Sequence, residues 1–185
     1  MAAVPPVCDF GWKAREARLP GVDGKTHSLF GLNGQNGLVV AFICNHCPYV
    51  KAVIARIVRD AEDLKQHGIG FVAISSNDAA AYPEDSFDNM RLFAERHRFG
   101  FPYLYDEDQS VARAYGGACT PDFFGFNRDL DLQYRGRLDA SRKEAGPAEL
   151  RRDLYEAMVA IAATGRGPAD QVASIGCSIK WKDAA

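Results

Sequence analysis

Two cysteines separated by two residues, Cys44 and Cys47, are the side chains of this sequence best suited to chemistry. They follow an apolar run over residues 38–43 and lead into an apolar stripe at helical spacing that begins at Val50. A thiol at such a strand-to-helix junction faces free backbone N–H groups and the positive end of the helix dipole, and both lower its pKa. No other cysteine pair in the sequence has this spacing, so the pattern favours redox chemistry over metal binding.

The elements around this motif predict an α/β fold. The apolar runs over 38–43 and 70–75 are continuous, which is typical of strands buried on both faces, and a helix from about Pro48 to His67 joins them. Strands joined in this way are expected to be parallel. Upstream, Asp23-Gly24-Lys25 predicts a small hairpin.

The rest of the chain continues the alternation of helices and strands. The predicted elements are helices over 87–99, 108–115 and 147–163, and strands over 103–105, 122–126 and 130–134. A polar loop over 77–86 follows the second core strand, at the edge where α/β sheets usually bind ligands. The basic residues Arg135, Arg137, Arg142 and Lys143 are interpreted as a solvated face.

Composition limits the class of protein. The chain has 185 residues, 47% hydrophobic and 25% charged, and we expect one domain over 1–185 with a C-terminal tail over 165–185. A net charge of −2 gives no reason to expect nucleic acid or an anionic membrane as partner. No apolar run is long enough for a transmembrane helix, no signal peptide is recognisable, and five cysteines are too few for a secreted disulfide scaffold. We therefore expect a cytoplasmic protein.

The order of these elements resembles the thioredoxin fold and, more narrowly, the redoxin branch of the AhpC/TSA peroxiredoxin and thioredoxin-like family. The resemblance covers roughly residues 8–163 and is carried by Phe42-Ile43-Cys44-Asn45-His46-Cys47-Pro48, by Thr120-Pro121-Asp122-Phe123-Phe124 and by the hairpin at Asp23-Gly24-Lys25. The segment from Ser174 to Lys182 resembles the tail of an uncharacterised subgroup with the Cys-Asn-His-Cys-Pro-Tyr-Val signature. The implied architecture has three α/β/α layers and a mixed central sheet, with an N-terminal β-hairpin extension and a C-terminal tail.

The resemblance leaves two registers open for the attacking thiol. One aligns Cys44 with the nucleophile of the thioredoxin Cys-x-x-Cys motif. The other aligns Cys47-Pro48-Tyr49-Val50 with the glutaredoxin Cys-Pro-Tyr-Cys motif, with Val50 replacing the second cysteine. The spacing from Cys47 to the second strand and the proline that follows it favour Cys47. Cys44, three residues upstream, is then its nearest partner.

Departures from the peroxiredoxin pattern bear on the reaction. Peroxiredoxins carry Pro-x-x-x-Thr-x-x-Cys, whereas Val40 and Cys44 stand at the Pro and Thr positions here. Thr120-Pro121 occupies the region that would supply the peroxide-binding Arg. The resemblance therefore implies thiol–disulfide exchange, with a peroxiredoxin-type thiol peroxidase as the alternative.

The implied roles divide the candidate residues into redox and positioning groups. Cys47 is the nucleophile and Cys44 resolves the mixed disulfide, while Cys119 and Cys177 are further candidates for the resolving thiol; each could instead be a structural cysteine. The substrate-positioning candidates are Thr120, Pro121, His46 and Pro48. The Thr120–Pro121 bond is expected to be cis, with the backbone beside it pairing with a substrate chain as a short antiparallel strand. His46 would lend positive charge to the thiolate, unless it is simply an exposed loop histidine.

We expect a thiol-dependent oxidoreductase with antioxidant activity that acts on a protein disulfide or a hydroperoxide. Its partner would be a thiol reductant of the thioredoxin or glutathione type, and it would need no metal or organic cofactor. The chain would be a monomer or a homodimer. A redox sensor or a thiol-dependent metal chaperone that uses the same cysteines is the non-enzymatic alternative.

Overall fold

The described residues, 2–6 and 8–183, form ten strands and four α-helices in this computed structural model. The strands are β1 (Ala2–Ala3), β2 (Arg18–Pro20), β3 (Thr26–Ser28), β4 (Gly37–Phe42), β5 (Ile69–Ser75), β6 (Tyr103–Tyr105), β7 (Cys119–Thr120), β8 (Asp122–Asn127), β9 (Leu132–Gly136) and β10 (Gly176–Ser178). The helices are α1 (Pro48–Gln66), α2 (Phe87–His97), α3 (Ser110–Tyr115) and α4 (Asp153–Thr164). No helix within the described residues is both long and apolar enough to cross a membrane.

The central sheet is mixed and has the order β6–β5–β4–β8–β9. β4 pairs antiparallel with β8, which pairs antiparallel with β9, whereas β5 and β6 are parallel. The N–H of Ile43 donates to the carbonyl of Ile74 at 2.9 Å and joins β4 to β5 at the ends nearest the cysteines. The expected thioredoxin fold with a mixed central sheet is confirmed.

Strand β4 is buried on both faces, as its continuous apolar run predicts. Because side chains alternate along a strand, Val39 and Ala41 pack into the cluster that contains α1, α2 and α4, while Val40 and Phe42 pack into the cluster that contains α3 and the N-terminal hairpin. These are the two outer layers of the α/β/α arrangement. The predicted hairpin is confirmed as the β2–β3 pair, with Leu19 opposite His27.

The last helix begins later than predicted, at Asp153 instead of Pro147. The reason is Arg56 on α1, whose guanidinium donates to the carbonyl oxygens of Gly146 and Pro147 and to the carboxylate of Asp139. These contacts hold the segment before α4 as a loop. The pattern of apolar residues extends into this loop, but the backbone there is not helical.

Burial corrects one further expectation, and the structure adds a strand within the C-terminal tail. Arg135 is not part of a solvated face: it is 7% exposed, it pairs with the buried Asp122 at 3.2 Å, and its guanidinium lies 4.4 Å from the ring centroid of Phe124. The tail has no periodicity, yet β10 lies between β1 and β7 in a second small antiparallel sheet. Cys177 of β10 stands opposite Ala2 on one side and Thr120 on the other.

Candidate functional site

The motif Cys44-Asn45-His46-Cys47, hereafter the cysteine turn, connects the end of β4 to the start of α1. Cys47 is the N-cap residue of α1, with extended backbone angles (φ −63°, ψ 123°), and Pro48 is the first residue of the helix. Proline suits this position because its fixed φ matches the helix and the first turn needs no N–H from it. The strand-to-helix junction predicted for the cysteines is therefore present.

A buried carboxylate holds the cysteine turn in shape. The fully buried Asp85 accepts hydrogen bonds from the backbone N–H groups of Asn45 at 2.8 Å and of His46 at 3.3 Å. The Asn45 amide donates to the Glu84 carbonyl at 3.0 Å and accepts from the Tyr103 hydroxyl at 2.9 Å. These polar groups of the turn are thus bonded to segments distant in sequence, which makes the turn rigid.

The imidazole of His46 points to this same carboxylate. Its Nδ1 lies 2.7 Å from Asp85 Oδ2, which also accepts from the Asn77 amide at 2.7 Å, and its ring stacks on Tyr82 with centroids 5.6 Å apart. His46 is neither a freely exposed loop histidine nor one of the main groups that lower the pKa of Cys47. No motif in the sequence singles out Asp85; the only signal is the position of its loop at the C-terminal end of β5.

Thr120 touches both thiols of the cysteine turn. The Cys47 sulfur lies 3.1 Å from the Thr120 carbonyl oxygen, and the Cys44 sulfur lies 3.4 Å from the Thr120 hydroxyl. The peptide bond between Thr120 and Pro121 is cis, as expected. Cys44 and Cys47 are both 0% exposed. The structure therefore brings together four of the predicted site residues: the two cysteines, Thr120 and Pro121.

The two thiols are held in different protonation states. The neighbouring Cys44 thiol is the main cause that lowers the pKa of Cys47 to about 5, in opposition to burial, and the Thr120 side chain and the N–H groups of Cys177 and Val50 lower it further. The pKa of Cys44 is raised well above 9.0 by its bond to Cys47, by burial and by the charge of Asp85. Near neutral pH the pair is a Cys47 thiolate beside a Cys44 thiol.

The remaining cysteines occupy different surroundings, although all five are free thiols. Cys177 lies close enough to Cys47 to shift its pKa, and burial is the main cause that raises the pKa of Cys177 itself to about 11. Cys119 is buried, and its thiol donates to the Pro121 carbonyl at 3.5 Å. Burial is the main cause that raises the pKa of Cys119, and the nearby charges of Asp122, Cys47 and Cys177 raise it further. Burial raises the pKa of Cys8 to about 11 in the opposite core cluster.

One group of side chains has the donor types of a metal site. The Cys44 sulfur, a ring nitrogen of His46 and a carboxylate oxygen of Asp85 lie within 4.8 Å of one another. These three would be the ligands for a zinc ion, which accepts sulfur, nitrogen and oxygen donors. Their present bonds differ from that arrangement, because Asp85 already accepts four hydrogen bonds and the Cys44 thiol is protonated.

Comparison with known proteins places this geometry in context. The sequence model of the AhpC/TSA family matches residues 10–135. A comparison with curated proteins finds no significant match. Among solved structures, an uncharacterised conserved protein from Geobacillus kaustophilus is 46% identical with a TM-score of 0.94, and the match covers 100% of this chain and 98% of that one.

Two further structures extend the comparison. A hypothetical protein from Sinorhizobium meliloti 1021 is 37% identical with a TM-score of 0.90, and the match covers 98% of this chain and 99% of that one. A peroxidoxin from Mycobacterium tuberculosis is 18% identical with a TM-score of 0.61, covering 88% of this chain and 99% of that one. The last likeness is one of fold alone.

Proposed function

The chain belongs to the AhpC/TSA family, and on that premise we propose that it is a thiol–disulfide oxidoreductase whose nucleophile is Cys47. The observation that carries the proposal is that the pKa values of two adjacent thiols are shifted in opposite directions, that of Cys47 downward and that of Cys44 upward. Thiolates attack disulfides and thiols do not, so a cysteine with a pKa of about 5 is fully reactive near neutral pH. Its protonated neighbour Cys44 is the reserve thiol for the second step.

The reaction runs in two exchanges. The Cys47 thiolate attacks one sulfur of a substrate disulfide, the disulfide bond breaks, and the departing substrate thiolate takes up a proton. Cys44 then loses its proton and attacks the Cys47 sulfur, which forms a Cys44–Cys47 disulfide and releases the second substrate thiol. An external thiol reductant of the thioredoxin or glutathione type restores the dithiol.

The His46–Asp85 pair has a place in the second exchange. A ring nitrogen of His46 and a carboxylate oxygen of Asp85 lie within 4.8 Å of the Cys44 sulfur. The Cys44 thiol must lose its proton before it can attack, and in this proposal the proton passes to one of these groups through a bridging water, because the hydrogen-bond partner of the sulfur is the Thr120 hydroxyl. In this proposal Thr120, Pro121 and Pro48 are positioning residues: the first contacts both sulfurs, the second follows it at the cis bond, and the third begins the helix behind Cys47.

A hydroperoxide is the second candidate substrate, because the same thiolate could attack a peroxide oxygen, form a sulfenic acid and condense with Cys44. The missing peroxiredoxin Thr argues against it as the main substrate. So does Arg135, whose guanidinium is occupied by Asp122 and by the Gly116 carbonyl. The low pKa of Cys47 supports either reaction, and only turnover distinguishes them.

The proposal is tested by two assays on the same reduced protein. We expect it to reduce insulin disulfides with a dithiol as the reductant, and to do so faster than it consumes hydrogen peroxide. Cys47→Ser should abolish both activities, whereas Cys119→Ser, which removes a thiol hydrogen-bonded to the Pro121 carbonyl, should retain them. Absence of turnover with either substrate, with stoichiometric oxidation of the cysteines, would identify a sensor and contradict the proposal.

A further inference from the structure

The proposed nucleophile is closed off from solvent. Cys47 is 0% exposed, although the N-terminus of a helix is normally open to solvent. The cover is β10, in which Cys177 pairs with Thr120, the residue whose carbonyl oxygen lies 3.1 Å from the Cys47 sulfur. An external disulfide therefore cannot reach Cys47 while β10 is in place.

This cover belongs to a longer segment, residues 174–182, which we call the strap. Its closest approach is at Gly176, where an added Cβ would overlap the Thr120 carbonyl oxygen. Only glycine lets the strap backbone come this near, so the sequence of the strap is fitted to the edge that it covers.

The strap is anchored by the residues before and after β10 in sequence, whereas β10 itself makes few contacts. On one side the Ser174 hydroxyl donates to the Gly136 carbonyl at 2.8 Å. On the other, Ile179 is 3% exposed and the Lys180 N–H donates to the Asn77 side chain at 2.8 Å. Between these anchors β10 has three residues and only two cross-strand pairs with each neighbour. Pairings as short as these open locally at a lower free energy than the unfolding of the whole domain, even though β10 has a partner on each side.

We propose that the strap is a built-in substitute for the substrate: closed, it hides Cys47 and holds Cys177 ready to form a disulfide with it; displaced, it exposes Cys47 and the Thr120 backbone edge. The proposal rests on the assignment of Cys47 as the nucleophile. It implies that the preferred substrate is a polypeptide, since an extended chain can replace β10 on the Thr120 edge and a small molecule cannot.

The strap also supplies a second resolving thiol. After Cys47 has formed a mixed disulfide with the substrate, the strap returns, and the Cys177 thiol gives up its proton as it attacks the Cys47 sulfur. The bond from Cys47 to the substrate sulfur breaks, that sulfur leaves as a thiolate and takes up a proton, and a Cys47–Cys177 bond forms. Two cysteines are oxidised and one substrate disulfide is reduced, with the external thiol reductant closing the cycle.

The test measures access to Cys47 without requiring turnover. Reduced protein is alkylated with iodoacetamide, and the modification of each cysteine is followed by peptide mass spectrometry. Gly176→Ala places a methyl group against the Thr120 carbonyl and should raise the rate at Cys47 by about tenfold or more, because an overpacked closed state opens more often. Gly31→Ala is the matched control, since its new methyl meets only ordinary contacts at 3.5 Å, and it should leave the rate unchanged.

A second measurement does not depend on that variant folding. Cys44→Ser protein, oxidised with diamide and mapped without reduction, should contain a Cys47–Cys177 disulfide. A bond from Cys47 to Cys119, or a disulfide between two chains, would overturn the proposal, as would equal alkylation of Cys47 in the wild type and in Gly176→Ala. If the alkylation and the disulfide are as expected but no disulfide substrate is turned over, the strap stands and the proposed catalytic function fails.

Discussion

Replacement of Cys44 tests the origin of the Cys47 thiolate directly. The Cys44 thiol is the main group that lowers the pKa of Cys47 to about 5. Cys44→Ala removes this donor, whereas Cys44→Ser keeps a hydroxyl in its place. Cys44→Ala also removes the partner of the Thr120 hydroxyl, whereas Cys44→Ser keeps a partner for both Thr120 and Cys47. The comparison therefore measures what the polar group at position 44 contributes.

The magnitude follows from the strength of a hydrogen bond to a charged group. Such a bond contributes about 1.5–3 kcal/mol, and one pKa unit corresponds to about 1.4 kcal/mol. Loss of the Cys44 donor should therefore raise the pKa of Cys47 from about 5 to about 6–7. Near pH 6 the thiolate fraction of Cys47 should fall from ~90% in the wild type to ~10–50% in Cys44→Ala.

The assay is an ultraviolet titration of thiolate absorbance from acid to neutral pH, with the curve of Cys47→Ser subtracted. Cys44→Ser should titrate close to the wild type, and Cys119→Ser serves as a control that removes a thiol bonded to the Pro121 carbonyl. The reasoning is refuted if Cys44→Ala and Cys44→Ser titrate alike, or if the wild-type transition lies near the ordinary thiol value of 9.0.

Two further substitutions test the buried carboxylates. Asp85→Ala removes the acceptor of four hydrogen bonds and should lower the free energy of unfolding by about 3–5 kcal/mol in urea denaturation. Glu84 is exposed and serves as the control, so Glu84→Ala should have little effect on the free energy of unfolding. Equal losses in the two variants would contradict the role of Asp85. Burial raises the pKa of Asp122 from 3.8 to about 6, so its contribution to stability is complete below about pH 3.8 and is lost as the pH rises through about 6. Between about pH 4 and pH 7 the wild type should therefore lose about 3 kcal/mol of stability relative to Asp122→Asn, and a difference that does not change with pH would disprove this.

Much of the fold follows from local patterns in the chain. Strand β4 is recognisable because each of its residues is apolar, and a strand buried on both faces requires this. Helix α1 is recognisable from its apolar stripe and from Pro48 at its first position. The position of Cys47 at the start of that helix is accordingly predictable from the amino-acid sequence, whereas Thr120-Pro121 as the segment facing it was implied by the family resemblance.

Other features depend on partners that are distant in sequence. Helix α4 starts six residues later than its pattern predicts, because Arg56 binds the carbonyl groups before it. Arg135 has the pattern of a surface cation but is buried against Asp122. Asp85 has no distinguishing neighbours in the chain, since three of the four hydrogen bonds that it accepts come from the cysteine turn, about 40 residues away in sequence. None of these contacts produces periodicity, so they leave no signal in the sequence.

The cysteine turn shows which features are set by adjacent residues and which depend on the folded chain. The sequence alone determined that a thiol pair stands where a helix begins, because strand and helix periodicities are properties of adjacent residues. Only the tertiary structure decided which thiol is ionised, since that depends on burial, on Asp85 beside Cys44 and on Cys177 beside Cys47. The three-residue strand that carries Cys177 is too short to have a period. Its pairing with Thr120, and hence the cover over the nucleophile, exists only in the folded chain.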